Sequence, residues 1–178
     1  MDNHSRRNAL AASGLERQTR LMTIEVRAAH ADDADAFTRL RVSMFEAMGD
    51  ARVSDPAWQE AARRWFAAHV DDPDVALRLV DVDGEIVAGA VAHVRTHLPS
   101  PGNVSGRLAT ISNVSTFAEH RGHGYGRLAF EAVLAWAQDS SRAEVADLFA
   151  TGMGQGMYAA AGFSVHPMPA MRLPLRPS

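Results

Sequence analysis

Apolar and polar positions alternate over Thr23–Arg27 (TIEVR), a β-branched stretch that predicts a first strand. From Asp32 to Met48 the period lengthens. Ala34, Phe37, Leu40, Val42, Met44, Phe45 and Met48 fall close to helical spacing, and Gly49-Asp50 stops the run. Asp55-Pro56 then sets an acid at a helix cap and a proline in its first position, ahead of Trp58, Ala62, Trp65, Phe66 and His69. Asp71–Asp74 reads as a loop. Val75–Val82 and Glu85–Arg95 are apolar runs around Asp83-Gly84, the signature of a hairpin. His97–Gly106 (HLPSPGNVSG) has loop composition, and Arg107–Thr116 (RLATISNVST) predicts a further strand. Tyr125, Leu128, Ala129, Ala132, Val133 and Trp136 trace one helical face. Val145–Ala150 predicts a strand and Met153–Ala161 a short helix capped by Gly162. Phe163 onward and Met171–Leu175 predict the closing strands.

This order, without repeats or a long linker, predicts one α/β domain from about residue 22. The 178 residues are 47% hydrophobic and 22% charged, as in a soluble globular protein large enough to bury a core without staples. There is no cysteine, which excludes a disulfide framework, a thiol nucleophile and thiolate metal sites. The net charge of -3 argues against a nucleic-acid partner, and no apolar run is long enough to span a membrane. Apart from histidine every cationic side chain is arginine, which with the abundant alanine fits a base-biased genome. Residues 1–21 begin like a twin-arginine export signal. The apolar stretch Ala9–Leu15, however, contains Ser13 and Gly14 and ends at Glu16-Arg17. The segment reads instead as a flexible extension or a short extra helix, and a cytoplasmic protein is expected.

The chemistry concentrates in RGHGYGR, Arg121–Arg127, between a strand and a helix. Glycine costs backbone entropy, so three at alternate positions need a reason. One reason is an anion cradle: glycines let successive N–H groups converge at the positive end of a helix dipole, with Arg121 and Arg127 at the rim. The other is tight strand–helix packing with no ligand. The spacing is not that of a Rossmann turn, and a P-loop requires a lysine that the chain lacks.

Arg121-Gly122-His123-Gly124-Tyr125-Gly126 resembles the Q/R-x-x-G-x-G/A signature of the GNAT superfamily of N-acetyltransferases. Ile111–Gly126 is similar to that family's strand–loop–helix motif. Met157–Phe163 (MYAAAGF) resembles its second signature, and Met171-Arg172-Leu173 its closing strand. The order of elements is also the family's, and the likeness covers nearly everything after residue 21. It implies an α/β (α+β) fold, with a mixed, mostly antiparallel sheet of about seven strands flanked by about four helices. It assigns residues 22–178 to an acetyl-CoA-binding acetyltransferase domain of bacterial type.

The resemblance further implies that acetyl-CoA is the co-substrate, with no metal. The backbone of Arg121, Gly122, His123, Gly124, Tyr125, Gly126 and Arg127 would hold its pyrophosphate. A bulged fourth strand, splayed from the fifth, would pair with the pantetheine arm through Val114, Ser115 and Thr116. The N–H near Val114 would polarise the thioester carbonyl. Tyr158 stands where members often have the acid that protonates the departing thiolate; packing is its alternative use. A base to deprotonate the amine is less evident. Ser112 takes the place of the family's strand glutamate and Asn113 follows it, leaving a water relay or Glu46 as options. Thr151 replaces an asparagine common in the family. Arg41, Phe45 and Glu46 lie where members bind the acceptor, a small or peptide amine, and a homodimer is compatible with the family.

Other features read more plainly. His93 and His97, four apart on extended chain, are too distant to share a metal. His120 and His123 flank the glycine turn as solvated loop residues. Trp58, Trp65 and Phe66 form either an aromatic lid or, by their spacing, a core stripe. Two functions follow: an N-acetyltransferase acting on a primary amine, or a non-catalytic acyl-CoA-binding sensor on the same fold.

Overall fold

The computed structural model describes residues 22–175. The expectation for residues 1–21 falls outside them. Strand β1 (Ile24–Ala28) leads through a 3-10 turn, Ala31–Asp33, into helix α1 (Ala34–Ala47). The Asp33 carboxylate accepts from Arg27 Nη1 at 2.7 Å, Arg27 Nη2 at 2.9 Å and the His30 amide at 2.7 Å, fastening β1 to the start of α1. The guanidinium beside it holds the Asp33 carboxyl below its ordinary value. Helix α2 (Pro56–His69) starts as its sequence dictates: the Asp55 carboxylate accepts from Ala57 N at 2.8 Å and Pro56 fills the first position.

Strands β2 (Val75–Val82) and β3 (Glu85–Thr96) form the expected hairpin, Asp83 and Gly84 turning at φ 54° and 90°. Strand β4 (Arg107–Thr116), helix α3 (Tyr125–Asp139), strand β5 (Val145–Leu148) and helix α4 (Gln155–Ala160) follow. Gly162, just past α4, takes φ 95° as a helix-ending glycine should. The sheet runs β1-β2-β3-β4-β5, antiparallel except for the parallel pair β4–β5. Helices α1 and α2 cover one face, burying Phe37, Leu40 and Phe66 against Leu77, Leu79 and Val91. Helix α3 covers the other, burying Ala129, Phe130 and Val133 against Val80, Ala88 and Ile111.

The sheet has five strands among the described residues rather than about seven. The stretch from Phe163 and the segment Met171–Leu175, both read as strands, have no strand pairing. Pro167, Pro169 and Pro174 interrupt them; proline donates no ladder bond and restricts the residue before it. Strand β5 likewise ends at Leu148, short of Ala150.

Candidate active site

The glycine turn begins where β4 ends. A second 3-10 turn, Ala118–His120, carries the chain to Arg121, and α3 starts at Tyr125. Gly122 and Gly124 adopt φ 84° and 83°, the left-handed region that glycine enters without penalty. A Cβ placed on either would meet nothing within 4 Å, so the concavity is open rather than packed. The amides of residues 122–127 find no hydrogen-bond acceptor among the described residues; the first bond of the new helix runs from Leu128 N to Gly124 O at 3.1 Å. Open amides at a helix start form an anion site. Gly126 serves differently: a Cβ there would stand 2.8 Å from Thr116 Oγ1, so its small size brings α3 against the end of β4.

Around the cradle, Arg121 Nε donates to Thr116 O at 3.3 Å, holding that side chain along the strand end. Arg127 pairs with Glu131 at 2.8 Å, so its charge is partly neutralised at the rim. His123 stacks on Tyr125, ring centroids 5.6 Å apart, with its Nδ1 3.0 Å from Arg121 O. The Tyr125 ring is buried beneath it, leaving only its amide to face an anion.

Strand β4 arrives at this turn bulged and half unpaired. Gly89 of β3 pairs with Ser115 and Val91 with Ser112, so β4 carries one extra residue. Asn113 absorbs it at φ 52°, its Nδ2 donating to Ser112 Oγ at 3.0 Å. On its other side β4 pairs with β5 only from Leu108↔Val145 to Ile111↔Leu148. Past that point Ser112–Thr116 have no partner on the β5 side. The bulge expected of the fourth strand is present, and its pairing with β5 stops just before it.

Tyr158, on α4, meets Phe130 of α3 edge-on at 5.1 Å and lies against Phe163. Its ring fills the space above Gly154, where a Cβ would come within 2.7 Å of it. Burial pushes the phenol above its ordinary value of 10.0, so it stays protonated at neutral pH. The hydroxyl has no hydrogen-bond partner among the described residues. Tyr158 also walls a cavity of about 830 Å³ along the outer margin of β5, beside Leu134 and Ala137 of α3. No residue of the glycine turn lines that cavity.

On the opposite face Arg41 lies over Phe45 at 5.7 Å and over Trp58 at 5.9 Å, and the two rings meet edge-on at 5.4 Å. Arg41 Nε is buried without a hydrogen-bond partner among the described residues, and burial lowers the pKa of the guanidinium. Arg41 and Phe45 thus come together, while Glu46 is exposed, apart from the cluster. The aromatic stripe divides. Phe66 is core, Trp65 stacks on His69 at 4.4 Å and meets His93 edge-on, and Trp58 joins Arg41. Sequence reasoning missed that last association, and it missed Asp147 on β5. The signal for Asp147 was a lone acid in the middle of the otherwise apolar strand VADL.

Residues 34–163 match the family model described as the Acetyltransferase (GNAT) family. The fold is similar to that of a GCN5-related N-acetyltransferase from Ralstonia eutropha JMP134, at 25% identity and TM-score 0.75, over 85% of this chain and 99% of that one. It is also similar to a predicted acetyltransferase solved with acetyl-CoA, from Clostridium acetobutylicum, at 20% identity and TM-score 0.76, over 86% and 97% of the two chains. Glucosamine-6-phosphate N-acetyltransferase from Arabidopsis thaliana shares the fold at 16% identity and TM-score 0.65, over 85% and 98%. No curated protein matches the chain. With the family model spanning most of the sequence, on a five-stranded sheet whose fourth strand bulges into an open glycine turn, the chain belongs to the GNAT family of acetyltransferases.

Proposed function

We propose that residues 22–178 form a domain that transfers the acetyl group of acetyl-CoA to a primary amine, by direct attack of the amine on the thioester. The observation that carries this reading is the open turn at Gly122 and Gly124, its amides unclaimed, leading directly from an unpaired strand edge. In it the amides of Gly122, His123, Gly124, Tyr125, Gly126 and Arg127, with Arg121 beside them, hold the pyrophosphate. The main chain of Val114, Ser115 and Thr116 pairs with the pantetheine arm as an added strand would. Acetyl-CoA supplies an activated acyl group. The Val114 N–H, presented beyond the Asn113 bulge, stabilises negative charge on the carbonyl oxygen. The Tyr158 phenol, protonated at neutral pH, donates a proton to the departing thiolate; with the thiol's ordinary pKa near 8.5 below that of the phenol the transfer is uphill, and the phenolate takes a proton back from water. Arg41 and Phe45, with Glu46, contribute to the acceptor side. The setting expected for this reaction is the cytoplasm.

A second reading, a non-catalytic acyl-CoA sensor, is favoured by one observation: neither Ser112 nor Asn113 offers a carboxylate to deprotonate the amine. One experiment separates the two. Acetyl-CoA, but not NAD, is expected to raise the melting temperature, since a ligand that binds only the native state stabilises it. Thiol release from acetyl-CoA is then followed over a panel of primary amines. Stabilisation by acetyl-CoA with no amine raising thiol release above background would leave the sensor reading standing.

A further inference from the structure

Strand β5 presents its side chains in alternation. Ala146 and Leu148 pack on the α3 side of the sheet, which turns Asp147 to the face covered by α1 and α2. Asp147 pairs in register with Thr110 of β4, and Thr110 with His93 of β3. His93, Thr110 and Asp147 therefore form one polar row across three strands, on one face. Two members of the row are engaged: Thr110 Oγ1 accepts from Arg95 Nη2 at 2.7 Å, and His93 packs edge-on against Trp65 and His69. Asp147 is not. Among the described residues its Oδ1 is buried without a hydrogen-bond partner, and no cationic side chain lies within ion-pairing distance. An unsatisfied buried acceptor costs about 1–3 kcal/mol, more when charged. Its position is equally specific. The pair Thr110↔Asp147 lies one step before Ile111↔Leu148, the last pair of the β4–β5 ladder, so Asp147 stands beside the point where β4 loses its partner.

We propose that Asp147 is the anionic floor of the acceptor pocket and accepts hydrogen bonds from the ammonium of a primary alkylamine, a deepening that rests on the acetyltransferase reading. The acceptor class is thereby an aliphatic amine that arrives as a cation, rather than an alcohol or an aromatic amine that arrives neutral. Asp147 acts by binding and orienting. A carboxylate is too weak a base to hold the proton of an alkylammonium with a pKa near 10.4, so that proton passes on to water.

The test is titration of hexylamine into the protein saturated with CoA, which has no acetyl group to give. Hexylamine is expected to bind the wild-type complex, and Asp147→Asn to weaken it about tenfold or more, as for a lost hydrogen bond to a charged group, with CoA affinity unchanged. Asp147→Ser is the second variant if the first does not fold. Equal hexylamine affinity in wild type and variant, no binding to the wild-type complex, or failure of both variants to fold each overturns the proposal. Failure of CoA itself to bind the wild type would overturn the acetyltransferase reading instead, and this inference with it.

Discussion

Thr116 and Gly126 touch where the end of β4 meets the start of α3: a Cβ on residue 126 would stand 2.8 Å from Thr116 Oγ1. Gly126→Ala therefore sets two effects against each other. Alanine favours a helix interior over glycine by about 1 kcal/mol, and the added methyl must displace a stiff, branched side chain. Stability is expected to change by no more than about 1 kcal/mol, while acetyl-CoA affinity falls because the strand end and the turn no longer align. Adding Thr116→Ala should restore affinity. A double-mutant cycle in which the two changes simply add would show that the contact does not set the cradle.

Gly124 behaves differently, because the space beside it is open and its backbone is not one that other residues favour. Gly124→Ala is expected to cost about 1–2 kcal/mol in chemical denaturation from left-handed strain alone. Gly124→Glu, which also puts a negative charge where an anion belongs, should abolish acetyl-CoA binding in a titration of the folded variant. Full binding by the glutamate variant would remove the turn from the site.

Removing only the hydroxyl of Tyr158 should leave folding nearly untouched, since the ring packs against Phe130 while the oxygen has no partner among the described residues. Tyr158→Phe is expected to lower kcat with little change in acetyl-CoA affinity. Turnover equal to wild type would restrict Tyr158 to packing.

Arg41 holds a half-buried guanidinium over two aromatic rings, its Nε without a hydrogen-bond partner among the described residues. Arg41→Met keeps the length and removes the charge, so stability should stay within about 1 kcal/mol of wild type as lost cation–π attraction offsets relieved desolvation. The acceptor KM should rise while acetyl-CoA affinity holds. An unchanged KM would make Arg41 a packing residue.

The Arg27–Asp33 pair gives the fold a defined acid sensitivity. The Asp33 carboxyl sits below its ordinary value of 3.8 because Arg27 and the His30 amide favour its charged form. Folded chains therefore bind this proton less readily than unfolded ones, and the stabilisation is complete above about pH 4 and fades as pH falls through the native value. Asp33→Asn should cost about 2–3 kcal/mol at pH 7, as for hydrogen bonds to a charged group, and flatten the loss of stability as pH falls below about 4. A variant with the same acid profile as wild type would contradict this.

Elements whose cause is local were legible in the sequence. Asp55-Pro56 capped α2, Asp83-Gly84 turned the hairpin, and Arg121–Arg127 opened into a turn, because each depends on the backbone preferences of a few adjacent residues. Features that depend on a distant partner were not. Met171, Leu173 and Leu175 alternate as a strand would, yet are 95%, 78% and 90% exposed, since alternation does not supply a neighbour to pair with. Asp147 acquires its meaning from Thr110 and His93, each set by a register that the residues around Asp147 do not encode.

The extra residue at Asn113 also exchanges the two sides of its own strand. Ile111 belongs with α3 and Ser112 with α1; three positions later Ser115 is again on the α1 side, and Val114 has joined the α3 core. Keeping Asn113 but drawing it into a regular ladder would turn every side chain beyond it inside out, sending Val114 to the α1 side and Ser115 into the α3 core; deleting it would leave those faces as they are. A single odd-numbered step thus lets one continuous ribbon be floor for one neighbour and wall for another, with the change of allegiance falling at the point where its backbone is left bare.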